Sequence, residues 1–166
     1  MKPAVMLIVM LLFAAGLPGG TALSSDGNEL QGWGPDDPYN RHFDNAAIEK
    51  TRGWVVGFKF ERPLPGMSPA TIMMVDDGTG LIEVHICPAW FARPEDVGVR
   101  VGDRVKIKGC RAVVGGKRVF MAAKIKKDGF HEFKVRLTKN GKPFWTFSLE
   151  EVVREFSDTT AGGTGR

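Results

Sequence analysis

The residues best suited to chemistry lie in one short stretch, EVHICPAWF, at positions 83–91. This stretch places an imidazole, a thiol and two large aromatic rings within seven positions, at His85, Cys87, Trp90 and Phe91. Nitrogen and sulfur ligands such as His85 and Cys87 suit copper(I) or zinc, and residues two apart on a strand share a face. A metal site is therefore one interpretation, and the end of a strand meeting its core is the other.

Catalysis is not expected from these residues. The chain has three histidines, His42, His85 and His131, and no serine-nucleophile, paired-carboxylate or phosphate-cradling motif surrounds them. At positions i and i+2, the side chains of His85 and Cys87 point in parallel, which does not favour a catalytic Cys–His pair. No third metal ligand lies close by in the sequence. We expect no resident cofactor, and soft-metal binding by His85 and Cys87 stays open as an alternative.

Charge is distributed very unevenly along the chain. The formal net charge of +4 combines a net of −6 over residues 23–99 with a net of +11 over residues 100–142, where 14 Lys/Arg accompany 3 Asp/Glu. A block this basic exceeds what solubility needs. Two explanations stay open: contact with an anionic ligand or surface, and solvated strand faces balanced by the acidic half of the chain.

The amino terminus predicts export. Lys2 precedes an apolar run over residues 4–17 and a small-residue segment that ends at Ala22, the pattern of a secretory signal peptide. The run is short for a membrane span, so we expect cleavage after Ala22, a mature chain that begins at Leu23, and no stable membrane span. A periplasmic or secreted location follows, and amino-terminal sequencing of protein from the native envelope checks it.

Alternating apolar residues from Trp54 onward predict five strands, over residues 54–61, 70–75, 81–87, 104–113 and 118–126. Glycine-rich turns separate several of these strands, and Gly57 and Gly109 mark sharp bends or bulges. Trp54 and Phe60 fall on the predicted inner face of the first strand. The predicted core residues are Val56, Phe58, Ile82, Val84, Val105 and Ile107, and the predicted outward residues are Glu83, His85, Lys106 and Lys108.

This run of strands predicts an all-β fold, a five-stranded OB-fold Greek-key barrel with an extra C-terminal hairpin and a short C-terminal helix. The expected segments are a signal peptide (1–22), a loop-rich extension (23–53), the barrel (54–127), a hairpin and helix (128–157) and a disordered tail (158–166). Ser148 and Glu151 predict a capping box at the start of the helix. An apolar stripe, expected to dock on the domain itself, comprises Leu149, Val152, Val153 and Phe156.

Several segments resemble a group of exported bacterial proteins. GWGPDDPYNRHFD, VHICPAWF, VGDRVKIKGCRAV, GGKRVFMAAKIKK and NGKPFW are similar, in this order, to exported OB-fold proteins often labelled nucleic-acid-binding or DNA-binding. The chain is similar, more distantly, to the periplasmic bacterial OB-fold family linked to stress responses. The resemblance covers roughly residues 32–145, and it supports the fold more than the function, because one fold hosts many functions.

The two cysteines raise the question of a disulfide. Paired cysteines are usual in exported proteins, and Cys87 and Cys110 both have outward parity on their predicted strands. In an OB barrel, however, the ends of the third and fourth strands lie at opposite rims. A Cys87–Cys110 bridge forms only if Cys110 lies well inside a long strand, where the Cα atoms can approach within about 7 Å.

The sequence thus predicts an exported binding or adaptor module. OB folds bind ligands on strand faces and between loops, and single-stranded nucleic acid needs cations together with exposed aromatic rings. We expect an anionic ligand, for which single-stranded nucleic acid is a candidate; the alternatives are a soft-metal protein and a module that binds an envelope protein partner. The candidate ligand-binding residues are His85, Trp90, Arg104, Lys106, Lys108, Arg111, Lys117 and Arg118.

Overall fold

The computed structural model of the protein describes residues 30–129 and 131–161. The predicted signal peptide, residues 1–22, and the last part of the predicted tail lie outside these ranges. Within the described ranges, no helix is both long enough and apolar enough to cross a membrane.

The fold is mostly β, with six strands in one sheet in the order β3-β2-β1-β4-β5-β6. Neighbours in this order are antiparallel. In addition, β3 pairs with β5 in parallel, through Val84 with Phe120 and His85 with Met121. The strands are β1 (Glu49–Glu61), β2 (Ala70–Asp76), β3 (Leu81–Pro88), β4 (Arg104–Val114), β5 (Lys117–Lys127) and β6 (His131–Lys134).

Two α-helices complete the described fold, α1 (Pro94–Val97) between β3 and β4 and the C-terminal α2 (Leu149–Ala161). Short 3-10 helices occupy Asn40–His42, Asn45–Ala47 and Phe144–Thr146. The α1 helix begins at a proline and ends at Gly98, whose φ of 74° is readily adopted by glycine.

Strands β2 to β5 lie within one residue of the predicted bounds, because apolar alternation between glycine-rich turns marks their ends clearly. The first strand was predicted too short, since β1 begins at Glu49 rather than at Trp54. Its first residues, Lys50 and Arg52, are too polar to be recognised as strand by apolar alternation.

The predicted C-terminal hairpin is present in a reduced form, in which the backbone N–H of Phe144 donates to the carbonyl oxygen of Val135 at 3.0 Å. β6 pairs with β5, but the return strand reduces to one bridge between Arg136 and Pro143 before a 3-10 helix. The predicted tail is wrong at its start, because α2 extends to Ala161.

Glycines mark the bulges of the sheet. The register between β4 and β5 shifts between Lys108 and Gly109, as predicted. A Cβ atom at Gly109 would lie 2.1 Å from the carbonyl oxygen of Met121, so only glycine fits there. A second shift lies between Val55 and Gly57 in β1.

The bulge in β1 explains the main error in the predicted core. A bulge inserts one residue and reverses the inward and outward alternation. Val55 is buried, whereas Val56 is 46% exposed and Trp54 is 55% exposed. The sequence predicts both inside. Phe60 is also predicted inside and is also exposed, but it lies beyond the bulge, which does not account for its exposure. Phe58 is partly buried against the core.

Elsewhere the predicted core is largely confirmed. Val84, Val105 and Ile107 are buried, and Ile82 is partly buried against them. Large buried side chains fill the remaining interior, among them Phe120 and Ile72.

The segments before β1 and after β6 pack on each other. Trp33 and Tyr39 are buried, and Trp145 is nearly so. The indole N–H of Trp145 donates to the carbonyl oxygen of Trp33 at 2.9 Å, and the two rings meet edge to face with centroids 5.7 Å apart. The two ends of the described fold are therefore joined through one aromatic cluster.

The start of α2 has the predicted capping box. The Glu151 backbone N–H donates to the Ser148 hydroxyl at 3.3 Å, and the Ser148 N–H donates to the Glu151 carboxylate at 3.0 Å. The predicted docking of its apolar stripe fails for Leu149, which is 80% exposed, and for Val153, which is 59% exposed.

Candidate functional site

A row of four lysines crosses the outer surface of the sheet. Lys50 of β1 lies opposite Lys108 of β4, Lys108 lies opposite Lys124 of β5, and Lys124 lies opposite Lys134 of β6. Neighbouring strands are about 4.8 Å apart, so the row places four ammonium-bearing side chains side by side.

A second row lies two residues along the same strands. Arg52 is opposite Lys106, and Lys106 is opposite Lys126, whose partner on β6 is Glu132. The Glu132 carboxylate bridges Lys124 at 2.9 Å and Lys126 at 2.8 Å. We call the cationic members of the two rows on β1, β4 and β5 the basic face: Lys50, Arg52, Lys106, Lys108, Lys124 and Lys126.

The basic face lines a groove of about 510 Å³, together with Thr51 and Ile107. Among the described residues, no salt bridge involves its four members on β1 and β4. Like charges directly opposite each other on a sheet are destabilising. The arrangement therefore costs stability in the free protein and is suited to an anion that would neutralise it.

An exposed aromatic ring lies at one end of the basic face. Trp54 follows Arg52 by two residues on β1 and lies opposite Arg104 of β4. The guanidinium carbon of Arg104 lies 5.9 Å from the centroid of the Trp54 ring, within cation–π range. Arg104 thus extends the positive surface to an aromatic side chain.

His85 is buried, so the prediction that it lies exposed on the surface is wrong. It is 3% exposed, because Tyr39 lies over it with the rings stacked at 6.0 Å. The Tyr39 hydroxyl and His85 Nδ1 are 3.3 Å apart, and His85 Nε2 and the Glu83 carboxylate are 3.2 Å apart. A neutral imidazole that donates from Nε2 to Glu83 and accepts from Tyr39 at Nδ1 satisfies both contacts.

A chain of ion pairs continues from Glu83 to the surface. Lys59 donates to Glu83 and to Glu61, each at 2.8 Å, and Lys117 donates to the other oxygen of Glu61. Glu61, Glu83 and Lys117 line a second cavity of about 350 Å³, together with His85. The hydrogen bond from Lys117, followed by that from Lys59, lowers the pKa of Glu61 to about 2.

Burial and pairing set opposite pKa shifts in this cluster. Burial lowers the pKa of His85, and the hydrogen bond to Glu83 only partly offsets this effect. Burial alone would raise the pKa of Glu83, but hydrogen bonds from Lys59 and His85 hold it below its usual value. Desolvation likewise raises the pKa of the Tyr39 hydroxyl. The cluster is therefore a neutral histidine and tyrosine beside a carboxylate that stays ionised.

Acid should destabilise the protein through His85. Its pKa is lower in the folded protein than the ordinary 6.5, so the unfolded chain binds more protons between these two values. The contribution of the neutral His85 side chain to the free energy of unfolding is complete above about pH 6.5, and it is lost as the pH falls toward the pKa of His85 in the folded protein. We expect His85→Phe to flatten the decline of melting temperature between about pH 7 and about pH 5. His42→Phe, at an exposed histidine, should leave the decline unchanged; an equal decline in both variants would contradict the assignment.

The strand register separates His85 from Cys87, the two ligands of the alternative metal site. Cys87 lies opposite Thr71, and His85 lies opposite Ile72, so a bulge at Ile86 separates them. Side chains of paired residues project from the same face of a sheet, and consecutive residues such as Thr71 and Ile72 project from opposite faces. His85 and Cys87 therefore point to opposite faces. Within the described residues, no group of three His, Cys, Asp or Glu side chains could hold a metal ion.

Cys87 and Cys110 are both free and buried in this structure, and the suggested disulfide is not formed. Cys110 lies opposite Met121 of β5, which in turn lies opposite His85 of β3. The two cysteines are therefore two strands apart, roughly twice 4.8 Å, and a disulfide needs Cα atoms within about 7 Å. The Cys87 sulfur instead contacts the Ala92 carbonyl oxygen at 3.5 Å, and burial raises its pKa to about 12.

The structure distributes the other predicted ligand-binding residues over several surfaces. Arg111 pairs with Glu49 at 2.7 Å, and with Arg118 it lines a separate groove of about 650 Å³. Lys117 pairs with Glu61. Trp90 is 46% exposed and meets Phe91 edge to face, so it does not close the core as a buried plug. Of the predicted set, the structure brings together Lys106 and Lys108, with Arg104 beside them.

Four members of the basic face were not singled out from the sequence. The sequence analysis places Lys50 and Arg52 in the loop-rich extension, although their spacing of two is typical of a strand face. Lys124 and Lys126 show the same spacing on the predicted fifth strand. Joining the three strands required the pairing register, which the sequence alone does not contain.

A second unpredicted feature is a buried arginine. Arg136 is 3% exposed and lies between two rings, with its guanidinium carbon 4.8 Å from the centroid of Phe43 and 4.9 Å from that of Trp145. It donates to the side chain of Asn40 at 2.7 Å. In the part of the chain that the structure describes, its Nε has no hydrogen-bond partner. Burial lowers the pKa of Arg136 to about 10, so it remains a cation at neutral pH.

Comparison with known proteins corrects the resemblance drawn from the sequence motifs. A family model described as the MamS/MamX magnetosome protein family matches residues 47–131, just over half of the chain. No curated protein matches the chain. The matched family is neither the nucleic-acid-binding OB-fold group nor the periplasmic stress family, so that assignment was wrong. The matched range includes β1 to β5 and the first residue of β6.

Proposed function

Since the chain belongs to the MamS/MamX magnetosome protein family, we propose that it serves the magnetosome as an anion-binding module and not as an enzyme. The ligand lies on the basic face and carries phosphate or other anionic groups. Ion pairing with several lysines at once supplies affinity, and the strand register supplies their fixed spacing.

The proposed scaffold is an OB-type barrel made of β1 to β5. β1 pairs with both β2 and β4, β2 pairs with β3, and β4 pairs with β5. The parallel pairing of β3 with β5 completes a cycle of five strands, which supports a closed barrel. In such a barrel the basic face occupies the outer surface of β1, β4 and β5. This surface is distinct from the cavity beside His85, between the β1–β2 loop and the β4–β5 turn.

Six cationic side chains on three adjacent strands, with one bridging carboxylate, are the observation on which this function rests. A solvated strand face would be expected to alternate charges, because opposite charges across strands stabilise a sheet and like charges destabilise it. Lys50, Arg52, Lys106 and Lys108 lack such partners among the described residues, which favours an external anion as their counter-charge.

Binding to a soluble polyanion should depend steeply on salt. For a labelled single-stranded oligonucleotide, each neutralised phosphate contributes a slope of about −0.7 in log K against log salt. Four contacts would lower affinity roughly fifty-fold between about 0.05 and about 0.2 M salt. The double variant Lys106→Gln/Lys108→Gln should weaken binding and reduce the slope by about 1.4, as measured by fluorescence anisotropy.

A matched variant controls for net charge. Lys117→Gln/Lys139→Gln removes the same two charges from other parts of the surface, where the lysines pair with Glu61 and Glu155. Its slope should stay close to that of the unmodified protein. Equal slopes for both double variants would show that overall charge, and not the basic face, holds the polyanion.

The proposed place of action is outside the cytoplasm, in the periplasm or a compartment continuous with it. The support is the amino-terminal pattern of charge, apolar run and small residues over residues 1–22. Protein from the native envelope that still begins at Met1 would contradict processing at Ala22.

A further inference from the structure

The outer surface next to the basic face carries exposed apolar side chains that a soluble anion would not need. Trp54 is 55% exposed, Val56 is 46% exposed and Val101 is 63% exposed. Trp54 and Arg52 are two residues apart on β1, so both project from the same side of the strand. The basic face therefore continues directly into an aromatic residue.

The loop that carries Val101 is fixed beside this part of β1. The backbone N–H of Gly102 donates to the carbonyl oxygen of Val55 at 2.8 Å, and the N–H of Val55 donates to the carbonyl oxygen of Asp103 at 2.9 Å. These two bonds fix the loop that carries Val101 against β1 at Val55. Trp54 and Val56 are thus exposed on β1 next to the cationic rows, and Val101 is exposed on a loop that is hydrogen-bonded to the same part of β1. We call these three residues the apolar group.

We propose that the basic face and this apolar group together dock the protein on the surface of a lipid bilayer that contains anionic lipids. The inference rests on the proposed anion binding and names its partner. Lysine and arginine near an anionic leaflet each contribute about fivefold in affinity. Tryptophan favours the boundary between headgroups and acyl chains, where its ring is apolar and its N–H stays hydrated.

Two features favour a bilayer over a single nucleic-acid strand. The cations of the basic face form a two-dimensional array, two rows deep and three strands wide, which suits a charged surface better than a linear track. Val56 and Val101 have no ring on which a base could stack, but both gain by leaving water at a lipid surface. Arg104, over the Trp54 ring, places a cation at the level of the headgroup phosphates.

Co-sedimentation with vesicles tests this inference on the full chain. Vesicles of phosphatidylcholine alone are compared with vesicles that also contain phosphatidylglycerol. The full chain retains the apolar run over residues 4–17, which would bind both kinds of vesicle equally. The readout is therefore the ratio of the affinity for anionic vesicles to the affinity for neutral vesicles. We expect roughly tenfold or greater preference for anionic vesicles, most of it lost in Lys106→Gln/Lys108→Gln.

Trp54→Ser separates lipid docking from simple anion binding. This variant should bind anionic vesicles about tenfold more weakly, while its affinity for inorganic polyphosphate stays unchanged. Trp90→Ser, the same change at a tryptophan that is 46% exposed elsewhere, should alter neither affinity. Both positions are exposed, so the variants are expected to fold, and their melting temperatures verify it.

Each contrary outcome has a distinct meaning. Equal affinity for neutral and anionic vesicles, with salt-dependent polyphosphate binding intact, would overturn lipid docking and leave the proposed function standing. Weaker binding of Trp54→Ser to a single-stranded oligonucleotide but not to vesicles would overturn it in favour of nucleic acid. Failure to bind any of these anionic probes would overturn both proposals.

Discussion

Replacing Val84 by aspartate is expected to lower the free energy of unfolding by several kcal/mol, enough to unfold much of the protein. Val84 is fully buried, and it lies at the only parallel contact among the described strands, opposite Phe120 of β5. A carboxylate there would be desolvated beside apolar side chains. Urea denaturation followed by circular dichroism measures the loss.

The control is the same substitution on an exposed strand position. Val113 of β4 is 57% exposed, so Val113→Asp loses some strand propensity but buries no charge, and should cost less than about 1 kcal/mol. Similar costs at Val84 and Val113 would show that the contact between β3 and β5 is not part of a dry core.

Replacing Arg136 by alanine is expected to cost about 3–5 kcal/mol of stability. The change empties the space between Phe43 and Trp145 and leaves the side-chain oxygen of Asn40 without its donor. Removal of a buried cation that has no carboxylate partner among the described residues offsets part of this loss. Thermal and chemical denaturation give the difference.

Two further variants separate packing from charge at this position. Arg136→Met refills the space between the rings and should recover about 1–2 kcal/mol relative to alanine. Arg118→Ala, at an exposed arginine, should change stability by less than about 0.5 kcal/mol. If Arg136→Ala lowered the free energy of unfolding as little as Arg118→Ala does, the guanidinium of Arg136 would not stabilise the packing between the segments before β1 and after β6.

Local patterns predicted the strands well where the sequence alternates without interruption. Val105 and Ile107 are inside and Lys106 is outside, as their spacing indicates, and turn glycines mark the strand ends. The same logic failed at Val56 and between His85 and Cys87, because a bulge inserts one residue and reverses the alternation. Gly57 indicated a bend or bulge in the first strand but not how it would change the alternation around it, and no glycine marks the irregularity at Ile86.

The site was harder to predict because it depends on contacts that are distant in the sequence. His85 is buried by Tyr39, 46 residues earlier, and no local pattern indicates that a polar segment will cover it. The basic composition of residues 100–142 correctly indicated where four of the six cations of the basic face lie in the sequence. Its concentration on one surface, however, depends on β1 supplying Lys50 and Arg52 in register with β4.

The aromatic cluster that joins Trp33 to Trp145 has a consequence for how the chain folds during synthesis. The hydrogen bond between these residues spans 112 positions, so the segment before β1 cannot complete its packing until nearly the whole chain has left the ribosome. Contacts of such wide sequence separation slow folding, since a long loop must close before they form. A nascent chain that stays incompletely folded for this time is also in the state that an export channel for unfolded polypeptides requires.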